Sequence, residues 1–184
     1  MRDLFDTAPI DGLVLREDVV SAAEERGLVR QCEALDLSPF RFQGWEGKRL
    51  TQSFGWHYDF DRGRIAEAEP IPEWLLLARR KAARALGRDP AAFVQALVIR
   101  YDPGAGIGWH RDRPQFDEVI GVTLAGEAML AFRRRRGDGK FDRVKQPLPR
   151  RSAYLLSGEA RSGWQHGIAE HDALRFSLTF RSLR

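Results

Sequence analysis

The sequence predicts an α+β protein whose β part is a sandwich or a jelly roll. Helical periodicity is confined to the N-terminal half, whereas from about Ala96 short strand-like runs follow one another between Gly, Pro and charged turns. A length of 184 residues suits one domain with a substantial core, and no long apolar run or low-complexity linker divides it.

In chain order, "REDVVSAAEERGLVRQCEAL" has helical spacing, with Val19, Val20, Ala23, Leu28, Val29, Cys32 and Leu35 on the apolar positions and Gly27 as a possible interruption. "PIPEWLLLARRKAARALG" is a clearer helix, with Pro72 suited to its first turn, basic residues late and Gly87 as a stop. Both are expected to pack on a sheet. The connector "FQGWEGKRLTQSFGWHYDF" is rich in aromatic residues, as expected either of core-packing hairpins or of a lid whose rings grip something flat. The strand-like runs are "ALVIRYD", "EVIGVTLA", "AMLAFRRR", "FDRVKQP", "SAYLLSG" and "LRFSLTFRSL".

Composition narrows the class. Charged residues make up 30% of the chain and no run is long enough to span a bilayer, so a globular protein without a membrane association is expected. The opening "MRDLFDTAPIDG" lacks the apolar stretch of a secretory signal, which makes the cytoplasm the expected compartment. One cysteine, Cys32, leaves no intramolecular disulfide and reads as a helix residue. Nine bases and two acids between Ala131 and Arg151 give a local excess of +7 (9 − 2) in a chain of net charge +4. That concentration suits a polyanion, although a solvated hairpin would carry the same charge.

The chemistry-bearing stretch is "GIGWHRDRPQF". In an extended segment residues two apart project from one face, so His110 and Asp112 can reach one ion while Arg111 points away. His-X-Asp alone is unspecific, and a third ligand is needed. His166 in "SGWQHGIAE" can supply it if a β-sandwich brings it back to His110; two His and one carboxylate make the facial triad of non-haem Fe(II) oxygenases, with positions left open for co-substrate and oxygen. His57 reads as a lid residue and His171 as solvent-facing. In "LRFSLTFRSL", Arg175, Ser177, Thr179 and Arg181 share one strand face, and two inward guanidiniums call for an anion such as a dicarboxylate.

Taken together, "RYDPGAGIGWHRD", "SGEARSGWQHGI" and "RFSLTFR" resemble the AlkB family of Fe(II)- and 2-oxoglutarate-dependent dioxygenases. The likeness is strong over the C-terminal half and extends weakly through "GKRLTQSFGWHYDF". It implies a double-stranded β-helix (jelly roll) with N-terminal supporting helices and an aromatic substrate lid, one domain over 1–184, with scaffold and lid in 1–95 and the catalytic core in 96–184. It implies His110, Asp112 and His166 as Fe(II) ligands, and Arg175 on the distal carboxylate of 2-oxoglutarate, assisted by Tyr101 and Thr179, with Ser177 on the same strand face and Arg181 near the metal. Arg161 matches a family arginine close to the substrate pocket.

The implied reaction consumes O2 and 2-oxoglutarate, releases succinate and CO2, and hydroxylates a substrate C–H bond; on an N-methyl group the product breaks down to formaldehyde and the unmodified amine. The expected substrate is an alkylated base in DNA or RNA, taken out of the stack and held by Phe54, Trp56, Tyr58 and Trp45, with the arginine cluster tracking phosphates. A monomer is expected. The alternatives are an oxygenase of the same family acting on a protein side chain or small molecule, and a non-catalytic nucleic-acid-binding module. Three positions depart from the family pattern: Ile99 and Ser177 stand where many relatives have Asn, and Pro114 where relatives often have an acid that contacts the base. These departures bear on the substrate rather than on iron chemistry.

Overall fold

The computed structural model describes residues 9–42, 45–59 and 63–184. Seven strands form one sheet: β1 (Leu13–Arg16), β2 (Ser38–Phe42), β3 (Trp45–Phe54), β6 (Phe93–Tyr101), β8 (Phe116–Leu124), β11 (Ala153–Leu156) and β13 (Arg175–Leu183), in the order β1-β11-β8-β13-β6-β3-β2. A second sheet, ordered β10-β9-β12-β7, contains β7 (Ala105–His110), β9 (Ala128–Arg135), β10 (Phe141–Leu148) and β12 (Gln165–His171). β4 (Trp56–Asp59) and β5 (Arg64–Glu67) pair as a separate hairpin. Apart from the β9–β10 hairpin, successive strands of the C-terminal half alternate between the two main sheets, which is the jelly-roll arrangement the sequence predicts.

Helix α1 runs Ala22–Glu33, later than the periodicity of Val19 and Val20 suggests. A capping box sets the start: the Glu24 amide donates to Ser21 Oγ at 3.2 Å and the Ser21 amide to the Glu24 carboxylate at 2.8 Å. Gly27 does not interrupt it, and nothing crowds that position. Helix α2 (Glu73–Ala85) begins after Pro72 and ends before Gly87, whose φ of +68° is the left-handed conformation that stops a helix. The helices cover one face of the seven-stranded sheet: Cys32, Leu75, Ala78, Ala82 and Leu86 pack with Phe93, Val98, Ile120, Val122, Phe176, Leu178 and Phe180.

Three strands, β1 to β3, come from the N-terminal region read as helices and lid, so that region builds sheet as well as scaffold. Gly55 turns the chain out of β3; its φ is +75° and a Cβ there would meet the Val94 carbonyl oxygen at 2.2 Å. A short helix, α3 (Gly158–Ser162), links β11 to β12. Among the described residues no helix is long and apolar enough to cross a membrane.

Candidate functional site

The sheet face turned away from the helices looks toward the smaller sheet, and alternation decides which side chains it presents. On β13 Phe176, Leu178 and Phe180 lie in the helix-side core, so Arg175, Ser177, Thr179 and Arg181 face the other way, as their spacing predicts. Their partners on β6 are Tyr101, Ile99, Leu97 and Gln95 in that order.

On the smaller sheet His166 of β12 stands directly opposite His110 of β7, their ring centroids 4.3 Å apart. Asp112 lies just past the end of β7, with its side chain 5% exposed, and His166 Nε2 is 3.4 Å from Asp112 Oδ2. One donor atom from each of these three residues lies within 4.8 Å of the others. His110 and His166, 56 positions apart in the chain, are thus brought together by a single antiparallel register.

The protonation states suit a metal. Burial pushes both imidazoles down, His166 to about 3, so both are neutral near pH 7. Burial alone would raise the Asp112 carboxyl, but the Arg181 guanidinium and the two histidines hold it far below the usual carboxylate range. His110 Nδ1 is 2.9 Å from the Gly108 carbonyl oxygen; a carbonyl can only accept, so Nδ1 carries the proton and Nε2 keeps its lone pair. Arg181 Nε donates to Asp112 Oδ1 at 2.7 Å, and its Nη1 donates to Gln95 Oε1 at 2.9 Å.

Arg175 is the second chemical feature. It is fully buried, its Nη2 donates to Thr123 Oγ1 at 3.2 Å, and its Nε and Nη1 meet no acceptor. Its guanidinium carbon lies 5.1 Å from the centroid of the Tyr101 ring. A buried guanidinium with two uncommitted donors is costly unless an anion joins it, and a carboxylate fits its planar fork. Ser177 and Thr179 are buried beside it, their hydroxyls 3.5 Å apart.

Two further residues border this pocket that sequence reasoning missed. Tyr154 on β11 lies across Gly121, and burial pushes its phenol up to about 12, offset in part by the Arg175 charge. Arg49 on β3 sits close enough to Tyr101, Arg181 and Asp112 to feel their charges, and burial pushes its guanidinium down. Strand alternation around "KRLTQSF", with Phe54 fixed in the core, places Arg49, Thr51 and Ser53 on the inner face; that is the signal by which Arg49 can be found.

The substrate-side expectations fare unevenly. Phe54 is not a gripping platform: it is 4% exposed in the helix-side core and pairs with Ala96, on the face opposite the histidines. Trp56 is half-buried at the start of β4. The side chains of Trp45, His57 and Tyr58 lie outside the described residues. Arg161 is buried, and its Nη2 donates to the carbonyl oxygens of Arg113 and Phe116 at 2.7 and 2.8 Å. His171 is not solvent-facing: both ring nitrogens are buried, and its ring is 6.1 Å from that of Tyr101. Of the three departures, Ile99 packs with Tyr101 and Ala105, Pro114 is exposed, and Ser177 keeps a hydroxyl on the inner face.

Residues 12–181 match the family model described as the 2OG-Fe(II) oxygenase superfamily. The chain belongs to that superfamily, and within it is AlkB-like. It is 30% identical over 166 residues to the Xenopus tropicalis protein named tRNA (carboxymethyluridine(34)-5-O)-methyltransferase alkbh8, covering 85% of this chain and 25% of that protein. It is 30% identical over 207 residues to the Arabidopsis thaliana protein named alkylated DNA repair protein ALKBH8 homolog, covering 95% of this chain and 56% of that one. The chain therefore spans only a quarter to about half the length of these relatives. The solved structure titled "The structure of OsALKBH1" superimposes with a TM-score of 0.70 at 17% identity, covering 93% of this chain and 98% of that one, a likeness of fold.

Membership brings Fe(II), 2-oxoglutarate and O2 as cofactor and co-substrates, and the residues present fit them. The donor set of His110, Asp112 and His166 suits a ferrous ion with open positions, and the uncommitted fork of Arg175 suits one end of a diacid. When bound, the iron and 2-oxoglutarate supply the oxidising chemistry of a dioxygenase. The chain supplies neutral imidazoles, a carboxylate pinned by Arg181, and a buried cationic socket at Arg175.

Proposed function

We propose that this dioxygenase removes alkyl groups from nitrogen atoms of bases in DNA or RNA, hydroxylating the alkyl carbon and releasing formaldehyde when that group is methyl. The observation that carries the oxygenase half of this reading is the buried Arg175 fork, two of its donors uncommitted, on the sheet face turned toward the smaller sheet that carries the His110–Asp112–His166 cluster. The nucleic-acid half is supported by likeness, over 85–95% of the chain, to proteins named for tRNA modification and alkylated DNA repair. The methyltransferase activity in the first name belongs to a protein of which this chain spans a quarter, and is not carried over.

In this reading His110, Asp112 and His166 hold the iron, Arg175 takes the distal carboxylate of 2-oxoglutarate beside Tyr101, Ser177 and Thr179, and Arg181 steadies Asp112. Trp56 and Tyr58 are the candidates for flat faces against a base, Arg49 contributes positive charge beside the centre, and Arg161 supports the turn that follows Asp112 from within the substrate side. The test is turnover of the full chain with Fe(II), 2-oxoglutarate and oligonucleotides bearing single N-methylated bases. Succinate and formaldehyde should appear in equal amounts as the methyl group is lost. Succinate without formaldehyde would shift the assignment to a protein side chain or small molecule, and binding without either product would leave a non-catalytic module.

A further inference from the structure

We propose that the outer face of the four-stranded sheet, opposite the iron ligands, is a second nucleic-acid-binding surface that holds a single-stranded segment. Register fixes which residues lie there. Phe132 of β9 is buried and its ring faces His166 at 6.1 Å, so its neighbours Ala131 and Arg133 point outward, as do Met129 and Arg135. Phe141, Arg143 and Lys145 of β10 stand opposite Arg135, Arg133 and Ala131, on the same face. Trp109 precedes His110 and projects the other way; it is 39% exposed.

The two faces of this hairpin treat their cations differently. Arg134 pairs with Glu159 and with Asp142 at 3.5 Å, and Arg136 with Asp138 at 2.8 Å. Arg133, Arg135, Arg143 and Lys145, on the outer face, have no carboxylate partner among the described residues. Much of the charge between Ala131 and Arg151 is therefore neutralised on one side and unopposed on the other. A merely solvated hairpin gives no reason for that sorting, whereas a polyanion does.

Flat surfaces lie among the unopposed charges. The Arg133 guanidinium sits 4.7 Å from the Trp109 ring centroid and 4.8 Å from that of Phe141, and Arg143 lies 5.8 Å from Phe141. The stack is held by Arg133 Nε donating to Gln165 Oε1 at 2.8 Å. Beside Trp109 runs a groove of about 390 Å³ lined by Gly106, Gly108 and Gly167 and also by Ile107, Ile168 and the Lys48–Glu170 ion pair. An exposed indole stacked among cations that have no carboxylate partner is what a stacked base and its phosphates require. A duplex offers no free base face, which favours a single strand.

The surface goes beyond the proposed demethylation and needs no turnover to be seen, so the two can fail separately. The experiment is fluorescence anisotropy with a labelled, unmethylated oligouridylate over a range of salt. The double reversal Arg143→Glu/Lys145→Glu, on an edge strand away from the ligands, should weaken binding at least about tenfold and flatten the salt slope by roughly 2, with iron binding unchanged. The neutral pair Arg143→Gln/Lys145→Gln should show a smaller loss in the same direction, which separates lost contacts from misfolding. An abasic strand of equal length should bind the wild type at least about fivefold more weakly, because stacking is gone. Affinity within twofold of wild type in both double variants, or equal binding of the abasic strand, would overturn the proposal. Persisting demethylation of a methylated nucleoside in that case would leave the enzymatic reading standing.

Discussion

Arg181 and Asp112 are joined across the two main sheets, with Nε of the arginine donating to Oδ1 of the carboxylate at 2.7 Å. The other oxygen, Oδ2, is left on the side of His166. The guanidinium thereby selects which carboxylate oxygen is offered as a ligand and keeps it ionised. Arg181→Met should weaken metal binding about 10- to 100-fold, the usual cost of losing a residue that orients a ligand. Calorimetric titration with Mn(II), which cannot be oxidised on the timescale of the measurement, checks this; an unchanged affinity would remove Arg181 from the site.

Arg175 gives the opposite kind of prediction. Its charge is buried and only one donor atom is engaged, so Arg175→Met should raise the melting temperature of the protein without ligands or leave it unchanged. The same substitution should abolish the stabilisation that 2-oxoglutarate gives the metal-loaded wild type. Thermal melts with and without 2-oxoglutarate read both effects at once.

Gly121 carries the Tyr154 ring, and a Cβ there would lie 2.3 Å from its Cζ. Gly121→Ala should cost about 1–3 kcal/mol, the range for overpacking a filled interior. Because the collision is with one ring, the double variant Gly121→Ala/Tyr154→Leu should be more stable than the two single losses added together, which a double-mutant cycle in urea measures.

Glu25 ties α1 to the turns that follow β8 and β10. It accepts from the Ala125 amide at 2.9 Å, which holds that residue at its φ of +66°, and from Arg150 at 2.9 Å. Burial alone would raise its carboxyl, but the Arg150 hydrogen bond, the Ala125 amide and the charges of Arg150 and Arg151 hold it below its ordinary value. A depressed carboxyl stabilises the fold above the unfolded value of about 4.3 and loses that contribution as pH falls through the folded value. Glu25→Gln should therefore be less stable than wild type by about 1–3 kcal/mol at pH 7, and the gap should close below about pH 4. Urea melts from pH 7 to pH 3 give the comparison.

Period-2 alternation made the inner face of β13 legible, because Arg175, Ser177, Thr179 and Arg181 need only a correct strand to share a face. His110 and Asp112 were legible for the same reason, being two apart at the end of an extended segment. His166 was legible as a candidate, but the strand that seats it, β12, was not recognised, because its glycine and bulged pairing break the apolar pattern. Phe54 was misassigned because an aromatic-rich stretch does not reveal its own register; the sheet turned that ring into the core. Arg49 shares the inner face only once the register of its strand is known from Phe54, and Tyr154 acts through contacts between strands far apart in sequence that no local pattern marks. The start of α1 was set by the Ser21 cap rather than by the apolar spacing that preceded it.

The central claim is that three side chains converge on one ferrous ion and that Arg175 holds the far end of the diacid beside it. The most direct measurement is a crystal structure of the protein soaked without oxygen in Mn(II) and 2-oxoglutarate, with the metal located by its anomalous scattering. The account predicts one metal peak bounded by His110 Nε2, His166 and Asp112, with a carboxylate of 2-oxoglutarate on the Arg175 fork. A peak elsewhere, or an Arg175 guanidinium still without an acid at full 2-oxoglutarate occupancy, would contradict it.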